Sequence, residues 1–305
     1  MLVIQRKQNA GGRVVALGTF DGVHKGHCDL LRSAKKLAER YQVPLRVCTF
    51  NRHPLEILRP GNPPELLSTI PEKARQLYML GVDETELIPF DQKTADMEPE
   101  AFLERFRKVM DVRAVVAGWN YTFGRMGRGN AELLTEDGKK HGYEVLIVPP
   151  TTLPDGTVIS SSLVRQKLLE GDINKVSELL GYSYMLTGTV VQGKHKGHIL
   201  GFPTANIKPW KRKVLPKYGV YTCMIETEEQ ILPAVANIGI QPTIPSGKVT
   251  VEAHILEENP ELYGRKVRMS ILSMLREEKH FGSTVALREQ LAKDRETALK
   301  LFNMA

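Results

Sequence analysis

Two histidines three residues apart, His24 and His27, stand in the run Gly18-Thr19-Phe20-Asp21-Gly22-Val23-His24-Lys25-Gly26-His27. Imidazole N–H groups donate hydrogen bonds to phosphate oxygens, and glycines at 18, 22 and 26 let backbone approach a phosphate closely. Ahead of the run, Val14-Val15-Ala16-Leu17 is a short apolar strand. Behind it, from His27 to Arg40, Leu30, Leu31, Ala34, Leu37 and Ala38 recur at helical spacing. Strand, glycine turn and helix in this order aim the unpaired N–H groups and positive dipole end of the helix at whatever the turn holds. The combination predicts a grip on a nucleoside triphosphate. Two donors aimed there stabilise negative charge that develops on a bound phosphate, and one such donor is worth ~3 kcal/mol of barrier. A bare H-x-G-H also suits a solvated turn, so its flanking elements carry the reading.

Those elements continue through the first half. Leu45 to Phe50, Glu86 to Phe90, Ala114 to Ala117 and Val145 to Val148 read as short strands between helix-like segments, which predicts a parallel sheet with covering helices. In such sheets ligands sit beyond the carboxyl ends of the strands, so the loops carrying His24, His53, Asn120 and Ser160 are expected to meet in one crevice. Ile159-Ser160-Ser161-Ser162-Leu163-Val164-Arg165 passes from loop to helix, with hydroxyls placed to cap the helix or bind phosphate.

From about Leu186 the chain turns to glycine- and proline-punctuated segments rich in Val, Ile, Thr and Tyr, the pattern of a small antiparallel β domain. Strands are expected at Thr187 to Val191, Tyr218 to Ile225, Ala234 to Ile238, Val249 to Leu256 and Val267 to Met274. A final helix from Ser283, a good N-cap, runs to Leu301. Short helices over 163–170 and 174–180 precede a boundary near 181–186.

Composition excludes several classes. The 305 residues are 42% hydrophobic and 25% charged, ordinary for a globular protein with room for two domains. No apolar stretch approaches the ~20 residues that span a bilayer, and no signal-peptide core stands at the N-terminus, so a cytoplasmic protein is expected. Cys28, Cys48 and Cys223 are too few and too scattered for a disulfide framework or a C-x-x-C site. The net charge of +7 suits small anionic substrates as well as nucleic acid. Its densest cluster, Lys208, Lys211, Arg212, Lys213 and Lys217, is broken by Pro209 and Pro216 and reads as a solvated loop. No nucleic-acid or membrane partner is expected; self-association stays open.

The G-x-F-D-G-x-H-x-G-H run resembles the H-x-G-H nucleotidyltransferases, and its fuller form resembles their flavin-nucleotide branch. Ile159 to Arg165 is similar to that family's I-S-S-T-x-I-R segment, with Ser162 and Val164 as conservative departures. Phe50-Asn51-Arg52-His53-Pro54 resembles F-x-P-H-P with Arg52 for proline, and Gly118-Trp119-Asn120-Tyr121-Thr122-Phe123-Gly124 resembles G-x-D/N-x-x-F-G. The resemblance implies a Rossmann-like FMN adenylyltransferase domain over 1–183. Within it, Gly18, Phe20, Asp21, Gly26, Ser160, Ser161 and Arg165 would contact ATP, and His53, Asn120 and Phe123 the flavin. Trp119 and Tyr121 suit core packing equally well.

The second half resembles riboflavin kinases. Gly188-Thr189-Val190-Val191-Gln192-Gly193, Gly197, and Leu200-Gly201-Phe202-Pro203-Thr204-Ala205-Asn206 are similar to the kinase signature, with His198 where arginine is usual, so a permanently charged fork is lost. The family's fold implies an antiparallel β-barrel with a terminal helix over 184–305. Thr204 and Asn206 are hard oxygen donors suited to Mg²⁺ on ATP phosphates. The resemblance further implies ATP contacts from Gly193, Gly197, Pro203, Thr204 and Tyr263, and flavin contacts from Arg276 and Phe281. Glu252, in the V-E-x-H-x-L/I strand, would be the general base. Asn237-Ile238-Gly239, Pro242-Thr243 and Leu262-Tyr263-Gly264 extend the match.

Together these imply a bifunctional flavin-cofactor enzyme: ATP and riboflavin give FMN, then ATP and FMN give FAD and pyrophosphate, with Mg²⁺ at both sites. Two alternatives stand beside it. One is a protein keeping a single activity, suggested by Arg52 and His198; the other is a flavin-responsive regulator acting through RNA or a partner protein.

Overall fold

The computed structural model describes residues 11–193, 201–240, 249–256 and 261–303, and the chain divides into two compact units, 1–161 and 162–305. The first alternates β1 (Arg13–Leu17), α1 (Lys25–Tyr41), β2 (Leu45–Phe50), α2 (Leu55–Leu58), α3 (Ile70–Met79), β3 (Glu84–Ile88), α4 (Gln92–Ala95), α5 (Pro99–Met110), β4 (Val112–Gly118), α6 (Ala131–His141) and β5 (Glu144–Val148). Its five strands form the expected parallel sheet, in the order β3-β2-β1-β4-β5. Successive side chains of β1 point to opposite faces. Val14 and Ala16 join Leu31 and Ala34 of α1 in one core layer, while Val15 and Leu17 join Phe102, Leu103 and Phe106 of α5 and Leu134 of α6 in the other.

The chain moves outward from β1 through β2 to β3, then returns to lay β4 on the other side of β1. The strand order therefore reverses between β1 and β4, and the loops leaving these neighbours part there to open a crevice. β3 begins two residues before the sequence pattern suggests. The Glu84 side chain is drawn into the sheet by Arg13 (2.8 Å) and Arg46 (2.6 Å), an ion cluster that hydrophobic periodicity does not reveal. At its other end, Pro89 has no N–H to extend the ladder.

In the second unit, the body of α7 (Ser161–Glu170) and α8 (Ile173–Leu180) precede a closed antiparallel barrel. The barrel order is β10-β7-β6-β11-β8-β9, built from β6 (Met185–Val191), β7 (Ala205–Pro209), β8 (Gly219–Glu226), β9 (Ile231–Ile240), β10 (Val249–Ile255) and β11 (Lys266–Glu277). Closure leaves no strand edge unpaired. The terminal helix α9 (Thr284–Asn303) is capped by Ser283, whose Oγ accepts from the Ala286 amide (3.2 Å). It buries Ala298 against Val220 and Val235.

The strand absent from the sequence reading is β7. Its residues Ala-Asn-Ile-Lys-Pro look like loop, yet their backbone is needed to close the ladder between β6 and β10. The basic run that follows is also not a plain solvated loop. Lys213 is buried with its ammonium 4.6 Å from the centre of the Tyr184 ring, and Lys217 pairs with Glu277 (2.6 Å).

Candidate active sites

The turn after β1 is clamped into a conformation that side chains resist. Phe20 and Val23 have φ of 48° and 37°, a region that costs non-glycine residues about 1–3 kcal/mol each. The Asp21 carboxylate accepts from the amides of Leu67 (3.1 Å) and Ser68 (3.0 Å) and from the Ser68 hydroxyl, while that hydroxyl also accepts from the Gly22 amide. Ser161 Oγ donates to the Asp21 carbonyl (2.8 Å). Thr49 Oγ1 and Lys73 Nζ both donate to the Thr19 carbonyl, at 2.9 and 2.6 Å. These bonds hold the strained turn in place.

The clamp sets the two histidines. His24 is the N-cap of α1, and its Nδ1 accepts from the His27 amide (3.4 Å). The rings stack with centroids 3.7 Å apart, and a Cβ on Gly26 would lie 3.2 Å from the His24 ring, so the residue between them is best without a side chain. Burial lowers the His24 pKa to about 4 despite the Asp21 charge. Burial, His24 and Lys73 hold His27 well below the ordinary histidine value. Both imidazoles are neutral at pH 7. With Nδ1 of His24 an acceptor, its proton sits on Nε2. Nδ1 of His27 is buried without a hydrogen-bond partner among the described residues. Each ring then offers one N–H.

A cavity of about 670 Å³ opens at the carboxyl ends of the strands. Gly18, His24, Gly26, His27, His53, Asn120, Phe123, Ser160 and Ser161 all line it, so loops distant in sequence meet as the topology requires. His53 is oriented by two local bonds: its Nδ1 accepts from the Leu55 amide (3.2 Å) and its own amide donates to Glu56 (2.8 Å). Phe123 is buried against Phe102, with ring centroids 5.2 Å apart. Asn120 and Trp119 are exposed at the wall, whereas Tyr121 stacks beside Phe123 and packs against the core. Phe20 and Asp21 are buried and do not line the cavity; Asp21 belongs to the clamp beneath it. Arg165 lies on α7, in the second compact unit.

Sequence reasoning did not find Thr49, Ser68 or Lys73. A lysine on an amphipathic helix and a threonine in a strand look like surface, and nothing local shows that they converge on Thr19.

The barrel gathers a second group. Antiparallel register sets Glu252 of β10 opposite Asn206 of β7 and Asn237 of β9. A Cβ on Gly193 would fall 2.1 Å from Asn206 Nδ2, so the Asn206 carboxamide lies directly on the glycine backbone. His254, on the same face of β10 as Glu252, hydrogen-bonds the Pro203 carbonyl through Nδ1 (2.9 Å) and meets the Phe202 ring edge-on at 5.3 Å. It thereby ties the Pro203-Thr204 turn to the strand carrying Glu252. Arg276 grips the buried Asp294 carboxylate, with Nε 3.1 Å from both oxygens and Nη2 2.8 Å from Oδ2, and its guanidinium lies 5.7 Å from the Phe281 ring centre. Tyr263 is exposed. Gly197, His198, Pro242 and Thr243 lie outside the described residues. No group of three or more His, Cys, Asp or Glu among the described residues is arranged for a metal.

The FAD synthetase family model matches residues 6–163 and the riboflavin kinase family model residues 180–302. The chain is 32% identical over 301 residues to the bifunctional riboflavin kinase/FMN adenylyltransferase of Bacillus subtilis (strain 168), covering 97% of this chain and 95% of that protein. To the protein of the same name from Escherichia coli (strain K12) it is 34% identical over 295 residues, covering 96% and 94%. Among solved structures, it is similar to a macrolide-efflux protein from Streptococcus pneumoniae, with a TM-score of 0.87, 34% identity and 95% of each chain covered. No helix among the described residues here is long and apolar enough to cross a membrane. Two family matches in the order of the two folds, with relatives aligned across nearly the whole length, place this chain in the bifunctional riboflavin kinase/FMN adenylyltransferase family.

Proposed function

We propose that the two units divide two ATP-dependent steps of flavin-cofactor synthesis, with the barrel converting riboflavin to FMN and the parallel-sheet unit converting FMN to FAD. The observation that carries the second step is the cavity at the β1/β4 switch, where two neutral imidazole donors face loops from the other strand ends. An FMN phosphate oxygen attacks the α-phosphorus of ATP. The new P–O bond forms as the bond to the β-phosphate oxygen breaks, and pyrophosphate leaves with that electron pair. His24 and His27 donate to the phosphates, and Ser160 and Ser161 border the same space. The nucleophile is already an anion, so no strong base is required. His53, Asn120 and Phe123 line the wall assigned to the flavin.

In the barrel, the Glu252 carboxylate takes the proton of the riboflavin 5′-hydroxyl as that oxygen attacks the γ-phosphorus and ADP leaves. The hydroxyl of Thr204 and the carboxamide of Asn206 are hard oxygen donors beside that carboxylate. They fit Mg²⁺, which would neutralise charge on the transferring phosphates. His254 holds the turn that carries Thr204 and leads into the strand bearing Asn206.

We put the division of labour at residues 183 and 184, past the end of α8 and a few residues into the riboflavin kinase match. A cytoplasmic setting is the reading consistent with three unpaired thiols, two of them buried. The test is a chromatographic time course with riboflavin, ATP and Mg²⁺, beside a second reaction begun from FMN. FMN appearing first and FAD accumulating after it is the expected result. FAD from supplied FMN alone, or FMN without FAD, would leave a single activity, and binding of flavin without turnover would make the protein a regulator.

A further inference from the structure

Lys73 lies on α3, directly under the strained turn, and no step above uses it. Its ammonium donates to the Thr19 carbonyl at 2.6 Å and reaches Thr49 Oγ1 at 3.5 Å. Thr49 Oγ1 donates to the same carbonyl, so strand β2 and helix α3 together fix the residue at which β1 enters the turn. Thr19 borders the cavity and Lys73 does not. The ammonium therefore sits behind the wall, one backbone away from the space the histidines face.

A buried ammonium is costly unless opposite charge surrounds it. The groups facing Lys73 are the Asp21 carboxylate from the turn and the His27 imidazole from α1, on which the His24 ring stacks. Asp21 already accepts three hydrogen bonds from Leu67 and Ser68, and both imidazoles are neutral. Burial lowers the Lys73 pKa to about 8, with Asp21 opposing the shift. The group is charged at neutral pH and loses its charge just above it, and its field helps keep His27 unprotonated. A positive charge kept under a wall of neutral donors complements a polyanion on the other side of that wall.

We propose that Lys73 is a positioning residue for adenylyl transfer: its ammonium pins the Thr19 carbonyl, and so the histidine turn, while lending positive potential to the place where the ATP triphosphate binds. This rests on the cavity being the ATP site of that reaction. It predicts that ATP use in FAD formation depends on the charge at position 73, whereas riboflavin phosphorylation does not.

The experiment uses the full chain with Lys73→Met, Lys73→Arg and His27→Ala. Initial rates of FAD formation from FMN are measured against ATP concentration from neutral to alkaline pH, with riboflavin phosphorylation as the control for folding. In the unsubstituted protein, kcat/KM for ATP should fall above about pH 8. Lys73→Met should lower it about tenfold or more at neutral pH and abolish that alkaline fall. Lys73→Arg should retain most of the rate and carry it to higher pH, because arginine stays charged. An unchanged alkaline fall in both Lys73 variants would overturn the proposal, as would a loss of rate at neutral pH that is as large in Lys73→Arg as in Lys73→Met. If Lys73→Met does not fold, the pH profile of Lys73→Arg decides alone. FAD formation undiminished in His27→Ala would instead overturn the assignment of the cavity.

Discussion

The amide of His27 donates to Nδ1 of His24 at 3.4 Å, so one imidazole both caps α1 and is fixed as the Nε2–H tautomer. The cap and the proposed phosphate donor are two ends of the same ring, and they can be separated by substitution. His24→Asn keeps an N-cap acceptor and loses the N–H at the Nε2 position, which its shorter carboxamide does not reach, whereas His24→Ala loses both. His24→Ala should cost about 1 kcal/mol of stability that His24→Asn restores. Both should slow FAD formation about a hundredfold or more. Thermal melts beside rates of FAD formation from FMN check the split.

The same residue sets a pH dependence. The His24 pKa is about 4 in the folded protein against 6.5 for an ordinary histidine, so the unfolded chain binds the proton more readily. Its stabilising contribution is complete above pH 6.5 and is lost as pH falls toward about 4, on the order of 3 kcal/mol in all. Denaturant titrations across that window should show a limb that is shallower in His24→Asn.

Asp21 acts through the turn rather than at the cavity. Asp21→Asn keeps the shape but replaces a carboxylate that accepts from two amides and a hydroxyl. Bonds of that charge-assisted kind are worth about 1.5–3 kcal/mol, so a stability loss of roughly that size is expected. Releasing the strained turn should also lower kcat for FAD formation with riboflavin phosphorylation retained. Parallel assays of the two reactions check this.

Gly193 gives a test confined to the barrel. A methyl group there would occupy the place of the Asn206 carboxamide, so Gly193→Ala must turn that side chain away. Riboflavin phosphorylation should fall about tenfold or more and require more Mg²⁺, with FAD formation from FMN unchanged. Mg²⁺ titrations of both activities provide the measurement.

The Arg276–Asp294 pair is buried and forked, with side chains 15% and 6% exposed. Removing either partner strands a charge, at about 3–5 kcal/mol. Arg276→Ala and Asp294→Ala should destabilise by similar amounts and together cost much less than their sum, as a double-mutant cycle would show. Arg276→Ala should also raise KM for riboflavin, because the segment leading to Phe281 hangs on this pair.

The sequence by itself determined the strand–helix alternation of the first half and the antiparallel β character and terminal helix of the second. Helical and alternating periodicity depend only on which side chains must be buried, so β1, α1, β4, β5 and α9 were legible from spacing. The H-x-G-H turn was legible because strand, glycines and helix are contiguous. The convergence of His53, Asn120 and Ser160 followed from one topological rule. What the tertiary structure decided was where polar residues serve the fold instead of solvent. Glu84 moved the start of β3 because Arg13 and Arg46 neutralise it inside the sheet. β7 formed from loop-like residues because barrel closure demands its hydrogen bonds. Asp21 became a clamp, and Lys73 came to rest under Thr19, through bonds spanning 46 to 54 positions of sequence. Such pairings have no local period, and they exist only once the sheet has brought α3 beneath the turn.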